Sequence, residues 1–376
     1  MTMKKLINNI LLSGALAAGM FMTACSDDDA PHYLIDFQGI TTVGDLDTQI
    51  SEAALGDFIA IHGKGLEMSN IDSVLIDDIK VELAEAYAEN NILYLKIPVR
   101  LPIERTDKIY IYNRAGVSSF PFHTVAPDLK LERMFNEFTA PGDTIMIYGD
   151  FFTLYEIEPE KAVVDFDGIE MPVISSGNNY LTAQVPKNVS KDIRVNVRSL
   201  VHGVEAQCPG KYYDQRNVMV DYDTHMSTNT SAVVTDPDDP DRLSGNFIRI
   251  NDKSTWSGWW YISESWPCDI TDDMLDHPEN YEIKCEFRTS SQLVADKITF
   301  YVYLFWDAAP IEWKATDFNI QNFDRWETIR LPFVVNRSAT YPDNSYYKSF
   351  NIRLETAEDF PRNFAFDNFR IVPKGD

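Results

Sequence analysis

The chain is short of basic residues. Its 33 lysines and arginines stand against 58 aspartates and glutamates in 376 residues, a formal net charge of −25. Binding phosphate takes a surplus of cations on one face, so this balance excludes nucleic acid as a ligand and adhesion to anionic lipid head groups. A neutral ligand fits the charge best. Cysteine is scarce, with only Cys25, Cys208, Cys268 and Cys285. Beyond Cys25 at most one disulfide can form, which excludes a disulfide-stapled scaffold. Cys268 and Cys285 could pair, or Cys285, set in an alternating run, is simply buried. There is no CxxC, and the six histidines (His32 and His62 among them) are scattered without ligand spacing, so no zinc site is indicated. GxSxG, HExxH, a P-loop and a tight ExDxxE motif are also missing. A glycoside hydrolase needs two carboxylates about 5–5.5 Å or about 6.5–9.5 Å apart. Glu264 and Glu312 lie near aromatic residues, yet nothing marks them as a matched pair. The expectation is that the chain is not an enzyme.

One mostly apolar run is present, at the N-terminus. Lys4 and Lys5 precede the stretch from Leu6 to Met22, and the small residues Thr23 and Ala24 lead to Cys25. This is the anatomy of a secretory signal over residues 1–24, too short and too weakly apolar for a membrane span. The cysteine after small residues resembles a bacterial lipobox, in which Cys25 is acylated; Met22 departs conservatively from the usual leucine. The acidic linker that follows over residues 25–32, with Ser26-Asp27-Asp28-Asp29, resembles the signal that carries Bacteroidota lipoproteins to the outer face of the outer membrane. A lipid-anchored protein facing the cell surface is therefore expected, with a periplasm-facing lipoprotein as the alternative.

The middle of the chain repeats. GDFIAIHGKGL opens at Gly56, and GDTIMIYGDFF opens at Gly142, 86 residues later. Each is an alternating strand ending in a glycine turn, at Gly63 and Gly149. Each is followed by a strand closing on proline, LYLKIP at Pro98 and LTAQVP at Pro186, and then by KIYIYN at 108–113 or DIRVNV at 192–197. Short strands with regular glycine and proline punctuation predict two β-sandwiches, over residues 33–126 and 127–215. VELAEAYAEN interrupts the first, as a short surface helix or as a strand with a polar loop. The GDxIxIxG strand and the later strand ending in proline resemble the IPT/TIG immunoglobulin-like family, which implies rigid spacers or interaction modules.

Tryptophan is absent until Trp256, and all seven tryptophans then fall between Trp256 and Trp326. Strands continue through KITFYVYLFW, WETIRLPF, SFNIRL and FAFDNFRIV, with no long capped helix. Residues 216–376 are thus expected to form a jelly-roll-type β-sandwich, which makes the whole chain all-β. The densest feature is WSGWWYISESW, with Trp256, Trp259, Trp260, Tyr261 and Trp266. Sugar rings present flat faces of C–H bonds, and burying an aromatic ring against one recovers about 25 cal/mol per Å² of apolar area. Neighbouring strand residues face opposite ways, so only one of Trp259 and Trp260 can enter the core. Trp306 and Trp313 form a second candidate platform, while Trp326 reads as structural. Asp221, Asp223 and Asp367 either hold a structural calcium or merely sit at strand ends; calcium takes six to eight oxygens, and only three are named here.

The lipoprotein start, tandem immunoglobulin-like units and aromatic terminal sandwich resemble the surface glycan-binding proteins of Bacteroidota polysaccharide-utilisation systems, specifically the type B, SusE-positioned group. FAFDNFRIVP after WETIRLPF resembles the carbohydrate-binding domain of that group. The resemblance implies capture of a neutral plant or fungal polysaccharide of β-glucan or xyloglucan type, beside a TonB-dependent transporter and its SusD-like partner. The alternative is a structural or protein-interaction lipoprotein, which the immunoglobulin-like units would serve equally; a glycoside hydrolase is the remaining one.

Overall fold

The computed structural model describes residues 33–225, 232–251, 258–265, 269–293, 298–305, 311–318, 320, 322–335, 348–356 and 363–375. The backbone alone is described for 258–265, 298, 305, 348–349 and 356. The signal segment, Cys25 and the acidic linker lie outside the described residues. Among the described residues no helix is long and apolar enough to cross a membrane. They fall into two compact units: one built from the chain up to Pro98 with Thr106–His123, the other from Val99–Arg105 and Thr124 onward.

The first unit is a sandwich. One sheet runs in the order Asp45–Gln49, Asp36–Thr42, Phe58–Lys64, Ile92–Lys96, Tyr87–Glu89; the other runs Gly116–Pro121, Lys108–Asn113, Ser73–Ile76, Ile79–Lys80. Alternation sends Ile59, Ile61, Leu93, Leu95, Ile109 and Ile111 between the sheets, where all are buried. VELAEAYAEN forms a single 3-10 turn, Leu83–Glu85, followed by the edge strand Tyr87–Glu89.

The second unit begins with a seven-stranded array in the order Lys130–Met134, Thr144–Asp150, Tyr180–Gln184, Glu170–Ser176, Ala162–Phe166, Val195–Ser199, Glu205–Gln207. Its core holds Ile145, Ile147, Val164, Phe166, Leu181 and Val197. The repeat read in the sequence has a steric cause. A Cβ on Gly63 would lie 2.7 Å from the carbonyl oxygen of Asp36, and one on Gly149 would lie 2.2 Å from that of Lys130. In each sandwich the neighbouring strand comes so close that only glycine fits.

The rest of this unit is a two-sheet antiparallel sandwich. Six strands form one sheet: Val233–Val234, Phe247–Asn251, Asn363–Pro373, Tyr281–Thr289 and Glu327–Pro332 in order, with Val218–Val220 also paired to Asn363–Pro373. Four form the other, in the order Gly258–Ser265, Lys348–Thr356, Ile298–Phe305, Ile311–Lys314. Phe287, Phe300, Trp313, Phe318 and Phe366 pack between them. The one described α-helix, Asp272–Asp276, is a short turn capped by Thr271, whose side chain accepts from the Met274 N–H.

The six-stranded sheet has no wet face at its centre. Tyr281–Thr289 sends Ile283, Cys285 and Phe287 inward, and its alternate residues Lys284 and Glu286 are also fully buried, against the preceding sandwich. Glu137 of that sandwich accepts from Lys284 Nζ at 2.8 Å and from Arg370 Nη2 at 2.6 Å. Arg370 also donates to Glu286 at 2.9 Å, and its guanidinium lies 5.0 Å from the Phe138 ring centre. Thr328 Oγ1 donates to Glu286 (2.9 Å) and accepts from the Glu137 N–H (2.8 Å), and the Thr328 N–H donates to the Phe135 carbonyl (2.9 Å). A bulge at Asp367–Phe369, with Asn368 at φ 52°, lets the closing strand keep Phe366 and Phe369 in the core while Arg370 faces this junction.

Cys208 and Cys285 are free, fully buried thiols. Cys268 lies outside the described residues. Burial pushes the Cys208 thiol up to about 12 and holds that of Cys285 well above its ordinary value. Because the thiolate is the reactive form, both cysteines should resist an alkylating reagent in the native protein and react on denaturation. Peptide mapping after a timed pulse checks this, and rapid native labelling of either would contradict the burial.

Candidate functional site

The four-stranded sheet presents the only alternation in the C-terminal sandwich that is both aromatic and outward-facing among the described residues. In Ile298–Phe305, Phe300, Val302 and Leu304 fill the core, which turns Thr299, Tyr301 and Tyr303 to the other face. In Lys348–Thr356, Phe350, Ile352 and Leu354 point in, and Arg353 and Glu355 point out, half-buried and exposed respectively; Asn351 alternates with them but is itself buried. Ile311 and Trp313 are buried, and Glu312 and Lys314 are exposed.

Register assembles the outward residues into rows. Tyr301 lies between Arg353 and Glu312, and Tyr303 stands opposite Asn351. Tyr301 Oη donates to Glu355 at 3.1 Å, and the Arg353 guanidinium covers the Tyr303 ring at 4.4 Å from its centre. Burial and the bond to Glu355 hold the Tyr301 phenol above its usual value, so it stays a hydrogen-bond donor at neutral pH. The face therefore offers aromatic surface, one guanidinium and carboxylates, with charges of both signs.

The strand Gly258–Ser265 completes the sheet, and its register sorts the tryptophan pair. Trp259 stands opposite Glu355 and Tyr261 opposite Arg353, both positions of the outward face, whereas Trp260 stands opposite the buried Leu354. After a bulge between Tyr261 and Ser263, Glu264 falls opposite Asn351. Trp256, Trp266 and Trp306 lie outside the described residues.

Two expectations need correction. Trp313 is no binding platform: it is fully buried between the sheets, and its Nε1 donates to the Pro332 carbonyl at 3.0 Å. The alternation of Ile311–Lys314 puts it on the same face as Ile311. The three aspartates are not gathered around a cation. Asp221 Oδ1 is spent on a turn, accepting from the N–H groups of Asp223, Thr224 and His225 at 3.0, 2.9 and 2.6 Å. Asp223 accepts from the Asn246 N–H, and Asp367 is buried, accepting from Asn368 and Ser244. Among the described residues no three acidic, histidine or cysteine side chains are placed to share a metal. Trp326 is structural, edge-on to Phe247 with its Nε1 bonded to the Asp241 carbonyl.

Tyr301, Tyr303, Asn351, Arg353 and Glu355 were not singled out from the sequence. Their signal was the strict alternation TFYVYLF beside FNIRLE, which marks one aromatic and one polar stripe sharing a face.

Residues 212–373, which hold this entire face, match the family model of the surface glycan-binding protein B xyloglucan binding domain. The C-terminal domain belongs to that family. Residues 133–212, immediately before the surface glycan-binding protein B domain, match the IPT/TIG domain. No curated protein matches the chain. Among solved structures, it is similar to the surface glycan-binding protein PbSGBP-B from Prevotella bryantii, with 17% identity and a TM-score of 0.57 over 90% of this chain and 98% of the other. It is also similar to SGBP-B from a complex xyloglucan utilization locus in Bacteroides uniformis, with 15% identity and a TM-score of 0.50 over 90% and 99%. At such identities these two likenesses bear on the fold.

Proposed function

We propose that this chain is a non-catalytic capture protein for a neutral β-glucan of the xyloglucan class, bound on the outer face of the four-stranded sheet. The observation that carries the reading is the row of Tyr301 and Tyr303 flanked by Arg353 and Glu355, in line with the register positions of Trp259 and Tyr261. Aromatic rings take the C–H faces of successive glucose units, and the guanidinium and carboxylates bond the hydroxyls. Such a face needs no charge from its ligand, in keeping with a chain of net charge −25.

Acylation at Cys25 would tether the chain to the outer membrane, facing the medium, beside a TonB-dependent transporter and its SusD-like partner. A weak single site suffices there, because a long polymer engages many copies at once. The test is calorimetry of the soluble chain against xyloglucan, mixed-linkage β-glucan, laminarin, mannan and starch, with reducing ends assayed in parallel. Xyloglucan is expected to bind with no release of reducing sugar. Silence across the panel would move the reading to a protein partner, and released sugar would make the chain an enzyme.

A further inference from the structure

A second cleft opens within the second unit, where the IPT/TIG sandwich meets the C-terminal domain. Phe135, Asn136, Asp143, Arg242, Arg325 and Trp326 line it, and its volume is about 280 Å³. Ligand pockets start at about 300 Å³, so the space suits one sugar-sized group and not an extended oligosaccharide.

Its charge runs against that of the chain. Around it the arginines are paired: Arg133 with Glu327 at 2.9 Å, Arg249 with Asp239 and Asp241 at 2.6 and 2.9 Å, Arg288 with Asp241 at 2.8 Å. Arg242 and Arg325 have no carboxylate within 4.0 Å among the described residues, in a protein with 58 acidic side chains to supply one. The cleft lining thus holds two cations, the exposed Arg325 and the half-buried Arg242, against the exposed acid Asp143, with the buried Glu327 also within reach of the Arg325 charge.

Arg325 is also preset. Its guanidinium lies 4.9 Å from the Phe135 ring centre, and Phe135 is itself buried. A guanidinium held over a ring keeps its N–H edges for a planar, two-oxygen acceptor. Trp326 is fixed by its bond to the Asp241 carbonyl at 2.6 Å and, buried against Phe247, gives the cleft a rigid apolar floor. A simple anion would use the arginines but would be repelled by Asp143. A sugar with a carboxylate uses both: the arginines take the carboxylate and Asp143 accepts a hydrogen bond from a hydroxyl, above the apolar floor of Trp326.

We propose that this junctional cleft binds a uronic acid, carried as an acidic side group on a polysaccharide. The site is separate from the outer face of the four-stranded sheet, so each can fail alone. The test titrates the soluble chain, at low ionic strength, with a glucuronic-acid-substituted xylo-oligosaccharide, its unsubstituted counterpart and sodium sulfate. The acidic oligosaccharide is expected to bind at least tenfold more tightly than the neutral one. The R242Q/R325Q variant should lose at least tenfold for it, with unchanged circular dichroism and unchanged binding of neutral xyloglucan. Conversely, Tyr301→Ala/Tyr303→Ala should keep the acidic ligand. Equal binding of the two oligosaccharides, unchanged affinity in R242Q/R325Q, or equally effective competition by sulfate would each overturn the proposal.

Discussion

Replacing Tyr301 and Tyr303 together by alanine is expected to lower affinity for xyloglucan about a hundredfold, leaving a weak binder without measurable heat. Each ring stacked on a glucose unit removes roughly 50 Å² of apolar surface from water, about 1–1.5 kcal/mol, or roughly tenfold in affinity. Tyr301 contributes in addition a phenol oriented by Glu355, and Tyr303 a ring already covered on one side by Arg353. Both side chains leave the sheet on the face away from the core, so the thermal midpoint should move little. Calorimetry and thermal denaturation of the same preparation separate the outcomes. Affinity retained within threefold would mean that polysaccharide is held elsewhere; affinity lost together with the fold would mean that the tyrosines are structural.

The largest effect on stability is expected from Glu137→Ala. Glu137 is almost wholly buried, and it is the one carboxylate that Lys284 and Arg370, both without solvent exposure, share across the junction. Removing one partner from a buried ion network leaves the remaining charges uncompensated, at a cost of about 3–5 kcal/mol. The charge count states the problem plainly: Glu137 and Glu286 balance Lys284 and Arg370, and with Glu137 gone one positive charge is left over. Burial, together with the neighbouring Glu137 charge, pushes the Glu286 carboxyl up to about 7, against the pull of Arg370. Glu137→Ala/Lys284→Met removes a charge of each sign and should recover much of the loss. Urea denaturation followed by tryptophan fluorescence reads both, because all seven tryptophans fall between Trp256 and Trp326 in the sequence. If the single variant is as stable as the parent, the network is ornamental to folding.

Most strands were legible because their residues obey a two-residue period with one dry face. Lys108–Asn113 and Ile298–Phe305 lie where KIYIYN and KITFYVYLF put them. The repeat was legible because glycine is irreplaceable at Gly63 and Gly149. What misled was a polar stripe. In YEIKCEFRT the alternate Lys284 and Glu286 look like a solvent face, and they are buried only because another sandwich supplies Glu137. That pairing spans 147 residues of sequence, and no local pattern announces it. Trp313 misled in the opposite direction, since a tryptophan near a loop reads as a platform until the pairing of Thr299–Val302 with Ile311–Lys314 turns it inward. Tyr301 and Tyr303 were overlooked because tryptophan is the louder signal, although their alternation was in plain view. The tryptophan pair itself could be narrowed to one outward member, and the register sets Trp259 opposite Glu355 and Trp260 opposite Leu354.

The junction also bears on how such a chain can be inherited. Domains strung along a polypeptide are usually treated as interchangeable cassettes, to be shuffled at the seams. A breakpoint near residue 215 would strand Lys284, Glu286 and Arg370 on a sheet whose covering half had been exchanged, unless the newcomer brought an acid to the place of Glu137 and a backbone carbonyl to the place of Phe135. The heritable piece is therefore the IPT/TIG sandwich and the C-terminal domain together. Lineages that trade glycan specificity by recombination are expected to keep that pair intact and to vary the outer face of the four-stranded sheet, which the junction leaves untouched.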